Sequence, residues 1–240
     1  MPDAADTALS DAAIAYVKAH RAELVRRFAS PDQCPPSGSP HSFFMAGSPG
    51  AGKTEFSKSF CQLLREVDPD YSIVRLDADE IRGAIPGYDG TNPSAVQGAA
   101  ALAVERIFDA VQDRRQNVLL DGTFSRYDVA RSNVSRSLGR GRQVGIIYIY
   151  QDPLVAWEFT RKREALEGRH VPKEMFVQAF FGSRESVGKV KREFGSAVEL
   201  DLVIKSADGG VEKYHIGVDN VDSYLKSSYT PPELTDLLHD

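Results

Sequence analysis

The chain is poor in cysteine. Cys34 and Cys61 are its only two in 240 residues, too few for a disulfide framework or a cysteine metal site. It lacks any apolar run approaching the length of a membrane span. The opening "MPDAADTALSDAA" has neither the basic start nor the apolar centre of a secretory signal, so the cytoplasm is the expected location. Nor is there a surplus of positive charge: 29 Lys and Arg stand against 34 Asp and Glu, a net charge of −5. That balance argues against nucleic acid or an anionic membrane surface as a partner. The short basic runs "RKREALEGR" and "KVKREF" are broken by acidic residues and read as solvated helix faces. No internal repeat or long low-complexity segment is present.

What is there is ordinary globular material: 42% hydrophobic and 26% charged residues, over a length that can bury a sizeable core. One domain over residues 1–240 is expected. Ile14, Val17, Leu24, Val25 and Phe28 fall at helical spacing within a leading helix over about 9–28, with Ser10 as its N-cap. The proline-rich "SPDQCPPSGSPH" (30–41) cannot be helical and reads as a linker. A core over about 42–220 then alternates. Strands are expected at 42–46, 72–76, 117–121 and 143–150, with helices at 53–66, around 94–114 and on through about 193. Such alternation predicts an α/β fold, a parallel sheet flanked by helices. "LDLVIKSADGGVEKYHIGV" changes character and reads as a β-hairpin closing one sheet edge.

The first strand stops at a knot of glycines. Gly47, Ser48, Pro49, Gly50, Ala51, Gly52, Lys53 and Thr54 fit G-x-x-x-x-G-K-[ST] between a strand and a helix, the phosphate-binding P-loop pattern. Glycines let successive N–H groups converge on phosphate oxygens, and the following helix adds its N-terminal dipole. Lys53 would reach the β/γ-phosphates and the Thr54 hydroxyl would bind Mg²⁺. The helix is supported by Phe56, Phe60, Leu63, Leu64 and Val67, a stripe expected to be buried, with Cys61 in the core. A nucleoside triphosphate with Mg²⁺ is the expected ligand.

In an open α/β sheet, ligands lie beyond the carboxyl ends of the strands. "RLDADEIRGAIPGYDG" sets Asp77 and Asp79 there; Asp79 reads either as a general base for a hydroxyl acceptor or as the N-cap of the next helix. "NVLLDGTF" brings Asp121 and Thr123 to the next strand end, where a carboxylate organises Mg²⁺. On the long helix Val96, Ala100, Ala103, Val104, Ile107 and Val111 form the expected buried stripe; Glu105 lies off it and reads as solvated. Arg161, Arg163 and Arg169 lie in "WEFTRKREALEGRHVP", a segment that could close over a triphosphate and neutralise its charge.

Together "AGSPGAGKTEFS", "LDADEIRGAIPGYD", "LLDGTFSRYDV", "FTRKREALEGRHVPKE" and the closing "LDLVIKSADGGVEKY" resemble the zeta toxin family of P-loop kinases, over roughly residues 10–220. The resemblance implies an ATP- and Mg²⁺-dependent kinase of the sugar 3′-hydroxyl of UDP-N-acetylglucosamine or a related nucleotide sugar. It implies a bacterial toxin, held by a small helical antitoxin that blocks the nucleotide site. It favours Asp79 as the base and gives Glu105, Thr123 and Arg82 to the acceptor. It sets Arg161 and Arg169 on the transferred phosphate, with Arg163 as a substitute for the first. Two other readings stay open: a P-loop kinase of an antibiotic, a dinucleotide or a polynucleotide end, and a nucleotide-switched binding module. ATP and GTP are not distinguished by any motif.

Overall fold

The computed structural model describes residues 4–167, 170–225 and 229–239. The chain opens with α1 (Ala4–Ala19) and α2 (Arg21–Phe28), then β1 (His41–Ala46), α3 (Lys53–Val67) and β2 (Val74–Asp77). A short α4 (Ala78–Arg82) precedes the long α5 (Pro93–Asp113), and β3 (Val118–Asp121) leads to α6 (Tyr127–Gly139). After β4 (Gln143–Tyr150) come α7 (Pro153–Glu167) and α8 (Lys173–Phe194), then β5 (Val198–Lys205), β6 (Val211–His215) and α9 (Pro231–Leu237).

The six strands form one sheet in the order β2-β3-β1-β4-β5-β6. All pairings are parallel except β5 with β6, the expected hairpin. From β1 the chain goes out to β2 at the edge, returns through β3 and crosses to β4 on the other side, so β1 sits at a switch point, where crevices open beyond the strand ends. Alternation along β1 sorts the core into two faces. Phe44 and Ala46 join the larger cluster with Val96, Ile107, Phe176 and Val187. Met45 faces the other way, onto a smaller cluster holding Cys61, Leu119 and Ile147, with Phe56, Phe60 and Leu64 packed against it. No helix among the described residues is long and apolar enough to cross a membrane.

Two helix readings are corrected. The leading segment is two helices, broken at His20 (φ −106°, ψ 23°), and Ser10 lies inside α1 instead of capping it. The His20 ring stacks on Tyr16 at 4.1 Å and its Nδ1 lies 3.0 Å from the Tyr16 carbonyl, a local contact that replaces helix continuation. On α3, Leu63 and Val67 are 53% and 77% exposed. The helix rests on Ser57 and on Cys61, which was expected in the core, with Phe56, Phe60 and Leu64 half-buried beside them. Ser57 is buried because its hydroxyl has a polar partner on β3, which an apolar-periodicity reading cannot register. The α5 stripe, by contrast, is buried as expected at Val96, Ala100, Ala103, Ile107 and Val111; Val104 is half-buried.

Candidate active site

The loop from β1 to α3 is shaped by backbone that only glycine tolerates well. Gly50 has φ +72°, and a Cβ there would collide with the Ala156 carbonyl of α7. Gly52 (φ +82°) stands in the left-handed region at the head of α3 and turns the chain into the helix. The loop is further tied to β3 by the Gly47 N–H, which donates to the Thr123 carbonyl at 3.1 Å. Lys53 folds back over it, its Nζ donating to the Ser48 carbonyl at 2.6 Å. Desolvation in that position lowers the Lys53 pKa to about 8, against an opposing pull from the Asp121 carboxylate.

Asp77, not Asp79, caps the next helix. Its side chain accepts from the Asp79 N–H at 2.9 Å, so the capping alternative for Asp79 is overturned. The reason is geometric: β2 ends one residue later than expected and α4 begins at Ala78, which moves the cap back two positions. The Asp79 carboxylate instead accepts from Arg82 Nη1 at 2.9 Å. Arg82 is buried, and its Nη2 donates to Gln97 Oε1 at 2.5 Å. Across the sheet, register pairs Asp77 with Asp121. Asp121 Oδ2 accepts from Arg75 Nη1 at 2.7 Å and lies 2.7 Å from Ser57 Oγ. Burial raises the Asp121 pKa, with Ser57, Lys53 and Arg75 acting in the opposite direction.

Lys53, Asp77 and Asp121 line a cavity of about 400 Å3 above the strand ends, with Thr54, Asp79, Arg82, Thr123 and Arg163 in its wall. Two further spaces open from it. One, of about 270 Å3, lies between α7 and the β5–β6 turn, bounded by Phe159, Lys205 and Gly209; it shares Gly50, Gly52 and Arg163 with the first. The other, of about 710 Å3, runs between α5 and α6 and shares Gln97, Asp121 and Gly122. Glu105 is exposed on the wall of this groove, which is also lined by Arg126, at the N-cap of α6, and by Arg136 of α6. Thr123 Oγ1 lies 2.8 Å from Ser125 Oγ, and between them Phe124 adopts φ +57°. Strained backbone of this kind at a non-glycine residue concentrates at functional loops.

The structure thus brings Lys53, Thr54, Asp79, Arg82, Asp121 and Thr123 together at one cavity, with Glu105 in the adjoining groove. Of the arginines on α7, Arg163 lines the cavity, whereas Arg161 pairs with Glu164 at 2.7 Å and lies over the Trp157 ring. The expectation for Arg169 falls outside the described residues. Arg75, Gln97 and Lys205 are site residues that no motif announced. Their signal is topological: each is set beside the loop or the carboxylates by strand order or helix packing, not by spacing along the chain.

Solved structures share this arrangement of the fold. A chain of the PezAT chromosomal toxin–antitoxin system of Streptococcus pneumoniae superposes with TM-score 0.63 at 18% identity, covering 94% of this chain and 87% of that one. The AvrRxo1-ORF1:-ORF2 complex determined with ATP gives TM-score 0.58 at 16% identity, covering 91% and 70%. No curated protein sequence matches the chain. A family model described as zeta toxin matches residues 26–219, which contain every site residue named above: the chain belongs to the zeta toxin family.

Proposed function

We propose that the protein is an ATP- and Mg²⁺-dependent kinase that phosphorylates a sugar hydroxyl of UDP-N-acetylglucosamine or a related nucleotide sugar, acting as a bacterial toxin. The observation that carries this reading is the position of Asp79. Its carboxylate is not spent on capping, is held by Arg82 at 2.9 Å, and faces a cavity that connects the glycine loop to the groove between α5 and α6. A hydroxyl presented from the groove would meet the base on one side and the γ-phosphate on the other, the in-line arrangement that phosphoryl transfer requires. The Asp79 carboxylate takes the hydroxyl proton as the oxygen attacks phosphorus. Lys53 and Arg163 offset charge on the phosphate oxygens. The space between α7 and the β5–β6 turn suits the nucleotide base.

The residues present suit Mg²⁺. Among the described residues no group of three or more His, Cys, Asp and Glu side chains could hold a metal by itself. Mg²⁺ needs fewer, since it keeps waters and is completed by substrate phosphates. Thr54 and Asp121 both line the cavity, and the hydrogen bonds described for Asp121 fall on Oδ2, so Oδ1 is the oxygen a cation would take. When bound, the ion would neutralise charge on the β- and γ-phosphate oxygens. A small helical antitoxin that covers the nucleotide site would silence the enzyme; the similar PezAT structure belongs to a toxin–antitoxin system.

The test is one incubation of purified protein with ATP, Mg²⁺ and UDP-N-acetylglucosamine, with Lys53→Ala in parallel, read by mass. A sugar nucleotide heavier by one phosphate, from the wild-type protein alone, is expected. ATP consumed with phosphate appearing only free in solution would overturn the kinase reading.

A further inference from the structure

Arg75 belongs to no motif, yet its side chain reaches Ser57, Asp77, Glu80 and Asp121. It sits within β2 and is 12% exposed. Because side chains alternate along a strand, Arg75 and Asp77 project from the same face. The register Asp77↔Asp121 then sets a second carboxylate beside the first. One guanidinium serves both. Nη1 donates to Asp121 Oδ2 at 2.7 Å and to Asp77 Oδ2 at 3.1 Å, and lies 3.3 Å from Ser57 Oγ. Nη2 pairs with Glu80 of α4.

Each partner governs a different part of the machinery. Asp77 caps α4 through its other oxygen, and α4 carries Asp79. Glu80 is on the same helix. Ser57 belongs to α3, one turn beyond Thr54, whose carbonyl lies 2.9 Å from the Ser57 hydroxyl. Two carboxylates this close and this buried repel one another, and a cation between them offsets that repulsion. The planar, always-charged fork of arginine suits such a place; a lysine ammonium reaches as a point charge only.

We propose that Arg75 is a positioning residue that fixes Asp121 and the head of α4 as one unit, so that metal binding to the nucleotide complex depends on it. This rests on the assignment of Asp121 to the metal made above. Arg75 touches neither nucleotide nor acceptor. It acts by occupying Asp121 Oδ2, which leaves Oδ1 as the oxygen presented to a cation, and by holding the base-bearing helix through Asp77 and Glu80.

The experiment uses Arg75→Lys and Glu80→Gln, because Arg75→Lys retains the positive charge and Glu80, 48% exposed, can be changed without uncovering a buried ion. Three quantities are read: melting temperature, ATP affinity in EDTA, and Mn²⁺ affinity by electron paramagnetic resonance in the presence of a non-transferable ATP analogue. Arg75→Lys should keep its metal-free ATP affinity and weaken Mn²⁺ binding by about 10- to 100-fold, the range for loss of a group that orients a metal ligand. Glu80→Gln should weaken it less, in the same direction. Wild-type Mn²⁺ affinity in Arg75→Lys overturns the proposal. So does an equal loss of ATP affinity in EDTA, which would make Arg75 a support of the glycine loop alone. Should Arg75→Lys fail to fold, Glu80→Gln decides, since unchanged Mn²⁺ binding there overturns it too. A wild-type protein that phosphorylates no sugar nucleotide would defeat the nucleotide-sugar reading while leaving these metal measurements interpretable.

Discussion

At the scale of single residues, two side chains of the site differ in exposure. Asp79 is 38% exposed at the cavity wall and accepts from Arg82. Asp79→Asn, whose amide oxygen can still accept from Arg82, should therefore keep the shape of the site while removing the carboxylate that acts as proton acceptor. ATP should still bind, and phosphotransfer should fall by roughly 10²- to 10⁴-fold, the usual worth of a general base. Full turnover by the variant would exclude Asp79 from that role. Lys53 is desolvated inside the loop, and its pKa stands near 8 against an ordinary 10.5. Between those values the folded protein binds fewer protons than the unfolded chain, so Lys53 makes stability rise with pH across that window, and the contribution is absent below it. A triphosphate reverses the effect by favouring the charged amine. Nucleotide binding above pH 8 should therefore take up protons, measurable by calorimetry in buffers of different ionisation enthalpy, and Lys53→Met should abolish the uptake.

Elements differ in how far their packing follows from apolar spacing. Ile107 on α5 is fully buried, and Ile107→Ala should cost about 2–5 kcal/mol in urea unfolding. Leu63 on α3 is 53% exposed, so Leu63→Gln should stay within roughly ±0.5 kcal/mol. Equal losses from the two would mean that the Leu63 side of α3 is packed as tightly as the α5 stripe. The contrast also explains what could be read in advance. The strands of the sheet, the α5 stripe, the P-loop and the β5–β6 hairpin were legible because alternation, helical period and glycine geometry are local properties. The face of α3 was legible only in part: Cys61, Phe56, Phe60 and Leu64 pack as expected, but Ser57 is buried for a hydrogen bond to Asp121, 64 residues away in sequence. The cap was not legible: whether Asp77 or Asp79 closes the head of α4 turns on where β2 ends, a difference of one residue. Arg75 and Gln97 were invisible for a third reason. A role created by strand order or by a helix laid alongside leaves no spacing to recognise.

For the whole molecule, the governing fact is that a single sheet edge carries everything. The order β2-β3-β1-β4-β5-β6 puts the hairpin turn at one end of that edge and the α4–α5 region at the other, with the glycine loop between. The three spaces described above follow the same line, and each shares lining residues with the next. A trench reached from both ends imposes no order of arrival, so either substrate should bind without the other, and steady-state kinetics should show a random sequential pattern. It also invites a compound that spans it. A nucleoside joined through a phosphate chain to a sugar would fill both ends as one molecule. Tethering makes the second contact intramolecular, so its affinity should exceed that of either half by about 10²- to 10⁴-fold where the tether matches the span. On the proposed kinase reading such a conjugate should compete with both substrates at once, and the length of tether that binds best would measure, from outside, the span between the two ends of the trench.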